Sequence, residues 1–290
     1  MATEIVNGLT IAYEVIGDGD RTWGLTPGGR FSKDCSGVRE LAQAIADRGN
    51  NKVLIYDRPN CGASDVCFTG TSESAMQADV LAQLVRQLDM APAVIIGGSG
   101  GSRISMLTAA QNPDVANGLG LWWISGGIYG LLSLGNHYCS GSIAAAWRGG
   151  MEAVVELPAW GEVLERNPNN RQRFLDQDRD EFLETMQRWM VAYCPCDDPL
   201  VPGLTDELAA RLVVPAIVFR SGASDLAHTQ GTSERVAAGL PNARLVEPPW
   251  GDSEWNERGA TSTGIRGEGL FVGWPQLAPI LDDWATEVLS

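Results

Sequence analysis

The chain has 290 residues, of which 44% are hydrophobic and 20% charged, a composition typical of a globular protein with a large core. Its formal net charge is −15. Because that charge repels phosphate backbones and anionic lipid surfaces, it disfavours nucleic-acid and membrane-surface partners, and we expect a small-molecule partner instead.

The six cysteines predict neither a metal site nor a disulfide framework. None forms a C-x-x-C pair, and the spacing Cys194-Pro195-Cys196 suits neither zinc nor redox chemistry. The N-terminus lacks the basic and apolar segments of a signal peptide, so we expect a cytoplasmic protein with reduced thiols. The uncharged stretch from Val115 to Trp147 is broken by glycines and polar residues, and it predicts a buried strand and a loop rather than a membrane helix.

The first half of the chain alternates strand-like with helix-like segments. Asn7-Gly8 joins two strand-like runs and supplies the positive φ angles of a hairpin turn. Further strands are predicted at 22–26, 52–57, 93–98 and "GLGLWWIS", and helices at 36–48, around Met76–Leu88 and at 100–112. This alternation predicts a mostly parallel α/β sheet, with ligands bound at the carboxyl ends of its strands: 26–30, 57–65, 97–103 and 125–130.

The segment 127–210 departs from this alternation. It combines glycine and tryptophan with helical stretches such as "RFLDQDRDEFLETMQRWMVAY" and contains no convincing buried strand. Strand patterns resume in "PAIVFRSG" and "ARLVEPP", and a helical pattern over 275–289 ends the chain. We therefore predict an α/β core over 1–126 and 211–290, with a helical cap at 127–210 inserted after the sixth strand.

Ser99 is the centre of a G-x-S-x-G motif, between a predicted strand and a predicted helix. A serine on so tight a turn crowds the residues two before and two after it, and these are Gly97 and Gly101. The N–H of Gly100 points from the helix N-terminus and can bind a developing oxyanion. A dinucleotide-binding loop is disfavoured because Arg103 occupies its last glycine position, and the Gly-Lys-Ser/Thr of a phosphate-binding loop is absent. A purely structural glycine-rich turn is the remaining alternative.

Over nearly its whole length the chain resembles the α/β-hydrolase family, through its hairpin, "LTPGGR", "YDRPNCGASD", "GGSGGS", the cap and "SGASD". The resemblance implies that Ser99 is the nucleophile and Asp225 the acid of a catalytic triad. It also implies that the N–H groups of Gly29 and Gly100 form the oxyanion hole. Pro27 stands where the family usually has a histidine, and "DRPNCGASD" matches a loop that is generally structural.

The departure from the family concerns the base. The family carries a histidine after its last strand, but "RLVEPPWGDSEWNERGA" contains none, and the chain has only His137 and His228. We hypothesise that His228 is the base, oriented by Asp225, Asp252 or Glu254. The alternatives are that His137 is the base, or that His228 is a loop residue bonded to backbone.

Ten of the 21 aromatic residues are tryptophan, and some of them are expected to line an apolar pocket able to stack a ring. The predicted substrate-binding residues are Arg30, Trp122, Trp123, His137 and Trp250. Arg30 and Arg103 flank the two oxyanion donors, where either can pair with a substrate carboxylate or with local protein groups.

The resemblance implies acyl transfer to water through a Ser99 acyl-enzyme. The expected substrate is a small to medium apolar ester, lactone or related carbonyl compound, with aromatic compounds included. No metal or organic cofactor is implied. The alternative is a non-hydrolytic member of the family that uses the same pocket as a lyase, a cofactor-free oxygenase or a ligand-binding receptor. Substrate identity, pathway and oligomeric state stay open, a homodimer being one possibility.

Overall fold

A computed structural model describes residues 1–194, 199–262 and 268–289, so that Cys196 lies outside the described residues. Within these ranges the chain builds one eight-stranded sheet in the order β1-β2-β4-β3-β5-β6-β7-β8. The strands are β1 (Ala2–Val6), β2 (Leu9–Ile16), β3 (Arg21–Thr26), β4 (Asn51–Tyr56), β5 (Ala93–Gly98), β6 (Ala116–Trp122), β7 (Ala216–Phe219) and β8 (Ala243–Val246). Strand β2 is antiparallel to both β1 and β4, and the other neighbours are parallel. The predicted fold class is confirmed.

The N-terminal hairpin and the central strands form for local reasons that the sequence carries. Asn7 and Gly8 have φ angles of 51° and 78°, and the hairpin closes with Val6 opposite Leu9. Strand β5 is buried along its whole length, as a wholly apolar run predicts for a parallel strand covered on both faces.

Helices cover both faces of the sheet. In chain order they are α1 (Val38–Ala46), α2 (Glu73–Gln87), α3 (Gly100–Gln111), α4 (Ile128–Gly135), α5 (Gly141–Val155), α6 (Gly161–Arg166), α7 (Asn169–Leu175), α8 (Arg179–Val191), α9 (Asp206–Ala209), α10 (Gln230–Gly239), α11 (Glu254–Thr261) and α12 (Ala278–Val288). Leu41 of α1 and Leu281 of α12 belong to the cluster on one face, and Leu81 of α2 and Leu107 of α3 to the cluster on the other. Each such buried side chain contributes about 1.5–3 kcal/mol to folding.

The chain between β6 and β7 is helical wherever the structure describes it, with α4 to α9 following one another and no strand in 123–194 or 199–215. The predicted long helical stretch is divided into α7 and α8, because Asp178 caps α8 by accepting from the N–H groups of Asp180 and Glu181. Phe68, in the loop after β4, anchors this region by ring contacts of 5.0–6.1 Å to Trp160, Phe174, Phe182 and Trp189.

The stretch after β8, treated as a loop in the sequence, contains helix α11. Glu254 and Glu257 stand in its first turn and Arg258 in its last, an order that suits the helix dipole. The predicted C-terminal helix is present as α12, preceded by a 3₁₀ turn at Trp274–Leu277. None of the helices in the described ranges is long and apolar enough to cross a membrane.

Candidate active site

Ser99 lies on the turn between β5 and α3 in a conformation that few non-glycine residues adopt. Its φ is 56° and its ψ is −123°, a strain of about 1–3 kcal/mol that the surrounding structure must hold. A Cβ on Gly97 would lie 2.6 Å from the Gly101 carbonyl, and one on Gly101 would lie 2.1 Å from the Thr26 oxygen. Backbone crowding therefore requires glycine on both sides of the serine.

The predicted nucleophile, base and acid lie in one hydrogen-bonded row. His228 Nε2 lies 2.8 Å from Ser99 Oγ, and His228 Nδ1 lies 2.9 Å from Asp225 Oδ2. All three residues are buried, with exposed fractions of 8% for Ser99, 2% for His228 and 3% for Asp225. Because a carboxylate only accepts hydrogen bonds, Nδ1 carries the imidazole hydrogen, and Nε2 is left to accept the proton of the serine hydroxyl.

The predicted acid, Asp225, and the predicted base, His228, come from a single loop between β7 and α10, only three residues apart. Asp225 Oδ1 accepts from the backbone N–H groups of Ala227 and His228, each at 2.9 Å, and so closes the turn that carries both side chains. Thr229 follows at once as the cap of α10, accepting from the N–H of Thr232. The short spacing therefore follows from a turn that its own carboxylate stabilises.

The other candidates for orienting or replacing His228 lie in different surroundings. Glu254 Oε1 accepts from Arg258 Nε at 2.7 Å, and Asp252 is exposed and bonded through its carbonyl to Ser224 Oγ at 2.9 Å. His137 lines the same cavity as Ser99, but in the described part of the chain only His228 is hydrogen-bonded to the serine hydroxyl.

Two tryptophans pack against the imidazole of His228, Trp123 directly after β6 and Trp255 after β8. The Trp255 ring meets the imidazole edge to face at 4.4 Å between centroids, and the Trp123 ring stacks on it at 6.2 Å. Trp250 packs against Trp123 at 5.5 Å rather than against the imidazole. These rings limit rotation of the imidazole and shield it from water.

The loop after β3 brings a second backbone N–H beside the serine. A Cβ on Gly28 would lie 2.8 Å from Ser99 Cβ, and one on Gly100 would lie 3.4 Å from the Gly29 nitrogen. Within the described ranges, the N–H groups of Gly29 and Gly100 donate to no protein atom. Two unpaired N–H groups next to a serine can receive an oxyanion.

Arg58, from the loop after β4, holds this loop in place. Its Nη2 donates to the carbonyls of Gly28 at 3.2 Å, Gly29 at 2.7 Å and Phe31 at 3.3 Å, and the residue is 1% exposed. The Gly28 carbonyl belongs to the same peptide group as the Gly29 N–H. A cationic donor on that carbonyl both orients the peptide group and strengthens its N–H as a donor. Sequence reasoning missed Arg58, although it lies in the quoted "DRPNCGASD".

A cavity of about 270 Å³ opens beside Ser99 and His228. Its apolar lining includes Phe31, Leu134, Pro158, Val163, Trp255 and Phe271, and its polar lining includes Arg30, Asn60, His137 and Tyr138. Burial, and after it the positive charge of Arg30, lowers the pKa of His137, which favours its neutral form. The lining comes both from the loops of the sheet and from the helices between β6 and β7.

Of the five predicted substrate-binding residues, Arg30 and His137 line this cavity. Trp122 does not: it is fully buried and packs edge to face on Trp274 at 4.9 Å. Trp123 and Trp250 lie behind His228 and are also not lining residues of this cavity. The prediction that Trp122 binds substrate is wrong because Trp122 still belongs to β6 and packs in the core.

Arg103, the other arginine singled out in the sequence, has protein partners. Its Nε donates to Ser74 Oγ at 2.8 Å and its Nη2 to the Tyr193 hydroxyl at 3.2 Å. It is 4% exposed and does not line the cavity. Trp255, Tyr138 and Phe31 line it instead, and no sequence motif marked them.

Comparison with known proteins gives a family match over most of the chain: residues 25–264 match the model of the alpha/beta hydrolase family. A mouse (Mus musculus) protein described as the sn-1-specific diacylglycerol lipase ABHD11 is 35% identical over 115 residues, which is 38% of this chain and 36% of the lipase. The matched part thus spans about a third of that relative's length.

Solved structures of the same fold cover nearly the whole chain or all of it. The enol-lactonase from Burkholderia xenovorans LB400 superposes with a TM-score of 0.58 at 20% identity, covering 98% of this chain and 100% of its own. A thermophilic esterase from Thermogutta terrifontis superposes with a TM-score of 0.60 at 17% identity, covering 100% and 99%. At these identities the likeness establishes the fold.

Proposed function

Because the chain belongs to the alpha/beta hydrolase family, we propose that it is a serine hydrolase that cleaves an ester, a lactone or a related carbonyl compound through an acyl-enzyme on Ser99. The observation that carries the proposal is the hydrogen-bonded row from Ser99 Oγ through His228 to Asp225. The names of the lipase, the lactonase and the esterase to which the chain is similar support the same class of reaction.

In the first half of the reaction, Ser99 Oγ attacks the carbonyl carbon while His228 Nε2 takes the hydroxyl proton. The carbonyl π pair moves onto oxygen, and the N–H groups of Gly29 and Gly100 stabilise the oxyanion. Collapse breaks the bond to the leaving alcohol, which receives the proton from His228. Asp225 keeps the imidazole in the reactive tautomer and stabilises its positive charge.

In the second half, water replaces the alcohol. His228 takes a proton from the water, whose oxygen attacks the acyl carbon, and the same two N–H groups hold the second oxyanion. Collapse returns the proton to Ser99 Oγ and releases the acid. For a lactone, acid and alcohol leave as one molecule.

The helices between β6 and β7 act in this proposal as the cap over the strand ends. They contribute Leu134, His137, Tyr138, Pro158 and Val163 to the cavity. A volume of about 270 Å³ with mostly apolar walls suits a small to medium apolar acyl or alcohol group.

A serine-reactive fluorophosphonate probe tests the proposal directly. We expect covalent labelling of the wild-type protein and no labelling of Ser99→Ala. Ser102→Ala is the matched control: Ser102 is also buried, in the first turn of α3, but its hydroxyl donates to the carbonyls of Gly97 and Trp122. A wild-type protein that stays unlabelled and hydrolyses no ester would favour the non-hydrolytic alternative.

A further inference from the structure

Arg30 is held in the cavity wall by contacts on three of its sides. Its Nε and Nη2 donate to the two carboxylate oxygens of Glu73, both at 3.0 Å. The guanidinium carbon lies 4.3 Å from the Trp160 ring centroid and 5.1 Å from that of Tyr138. The side chain is 12% exposed. Two aromatic rings thus lie against the guanidinium, and Glu73 covers one of its edges.

The remaining edge, which carries Nη1, is the part of Arg30 left to meet the cavity. Arg30 lines the cavity, and within the described ranges it makes no hydrogen bond other than those to Glu73. Glu73 cannot swing away to free more of the guanidinium, because Oε1 also accepts from Asn60 Nδ2 at 2.9 Å. An N–H edge in a cavity wall that has no protein acceptor can donate to a ligand oxygen.

We propose that this edge of Arg30 is a substrate subsite for an uncharged oxygen acceptor, such as a ketone, ether or hydroxyl oxygen, placed away from the scissile carbonyl. The inference rests on the proposed function and names its substrate class: esters or lactones that carry a second oxygen, rather than plain hydrocarbon chains. Rings and aliphatic side chains of the same cavity accommodate the rest of the molecule.

An uncharged acceptor fits this site better than a carboxylate. The Glu73 carboxylate already balances the charge of Arg30. Glu162, whose carboxylate lies in the cavity wall, pairs with Arg166 Nη1 at 3.3 Å, so these pairs leave no cation for a substrate carboxylate. The neighbouring His137 adds no compensating charge, since burial and Arg30 favour its neutral form. The net charge of −15 opposes the approach of an anion as well.

The test compares p-nitrophenyl hexanoate with chains of equal length in which one methylene is replaced by an ether oxygen or a ketone, position by position. We expect at least one oxygenated ester to have a kcat/KM about 10- to 100-fold higher than hexanoate, because a site built to hydrogen-bond an oxygen rejects the analogue that lacks it. A terminal carboxylate at the same position should bring no such gain.

For each variant the measured quantity is kcat/KM for the oxygenated ester divided by kcat/KM for the hexanoate ester, rather than either rate alone. The double change Arg30→Met with Glu73→Met removes the ion pair without leaving one charge unpaired, and the ratio should fall to within about threefold of one. Arg30→Lys, which keeps a cation for Glu73 but loses the guanidinium edge, should lower the ratio as well and serves if the double variant does not fold. Arg103→Met is the matched control, a buried arginine over the Tyr193 ring outside the cavity, and should leave the ratio unchanged.

Three outcomes overturn the inference: equal hydrolysis of all esters by the wild-type enzyme, a preference for the carboxylate, or a ratio that survives both Arg30 variants. Each of these leaves the proposed function intact, because hydrolysis still occurs. Absence of hydrolysis together with an unlabelled Ser99 would instead contradict the proposed function itself.

Discussion

The loop after β7 carries both of the residues that the family resemblance divides between this loop and the stretch after β8. The loop after β7 carries both Asp225 and His228, whereas the stretch after β8, where a histidine is expected, carries Trp255 on α11. The Trp255 ring packs 4.4 Å from the imidazole of His228. A candidate proton acceptor is therefore recognised by its distance to the serine rather than by the strand it follows.

The largest effect is expected from removing the base on the β7 side. We expect His228→Ala to lower kcat by about 10⁴- to 10⁶-fold, because Ser99 then loses its proton acceptor. Steady-state kinetics on an activated ester measures the loss, with thermal unfolding as the check on folding. His137→Ala is the comparison variant, and a loss of kcat as large as that of His228→Ala would move the base to His137.

The second prediction compares the proposed acid of the β7 loop, Asp225, with a carboxylate after β8, Asp252. We expect Asp225→Asn to lower kcat by about 10³- to 10⁴-fold, since an amide in place of the carboxylate favours the unreactive tautomer of His228. Asp252→Asn, at an exposed position, should change kcat less than about threefold. A large loss in Asp252→Asn with little loss in Asp225→Asn would contradict the assignment.

The third prediction concerns Arg58, which holds the loop after β3 beside Ser99. We expect Arg58→Met to lower kcat by about 10- to 100-fold with a smaller change in KM, because the Gly29 N–H acts on the oxyanion rather than on the ground state. Affinity for a boronic acid that mimics the tetrahedral state should fall in parallel with kcat.

Asn170→Ala is the matched control for Arg58. Asn170 is buried and bonded to backbone groups of Ser64, Val66 and Val163, but not to the loop after β3. It should lose stability without changing the ratio between boronic acid affinity and substrate affinity. An equal loss of boronic acid affinity in both variants would show that Arg58 contributes only to stability and would contradict its role in orienting the Gly29 N–H.

Trp255 tests the β8 side of the comparison. We expect Trp255→Leu to lower kcat by about tenfold, since the imidazole of His228 loses its edge-to-face partner and gains water. Trp250→Leu, which removes a ring that contacts Trp123 instead, should cost less. The measurement is kcat of both variants on the same ester, corrected for the folded fraction of each. A greater loss for Trp250→Leu would point to a different support for the imidazole.

The smallest effect concerns His137, outside both regions. Its pKa is lowered in the folded state, so the unfolded chain binds a proton more readily, and stability falls as the pH drops through the ordinary histidine pKa of about 6.5. We expect His137→Gln to flatten the decline of the melting temperature between about pH 7.5 and pH 5.5. A decline identical to that of the wild type would show that other groups cause it.

Much of the fold was predictable because its signals are local. The Asn7-Gly8 turn, the buried run of β5 and the glycines around Ser99 each act over a few residues, through backbone sterics and apolar periodicity. The same reasoning failed for Trp122: side chains alternate along a strand, and the sequence does not say which face of a strand end looks into the cavity. Helix α11 was missed because its few residues carry no apolar periodicity.

The amino-acid sequence alone was enough to predict a mostly parallel sheet, the tight turn at Ser99 and a short set of residues that included the candidate acid and base. Three-dimensional folding brings His228, rather than His137, into a hydrogen bond with Ser99, and it makes Asp225 the one of the three candidate carboxylates that bonds His228. Hydrogen-bond partners 129 residues apart are set by how β5 and β7 lie in the sheet. Folding also brings Arg58 to the Gly28 carbonyl and places Arg30 in the cavity wall. These contacts depend on the packing of separate loops at the strand ends, and that packing leaves no periodic trace in the chain.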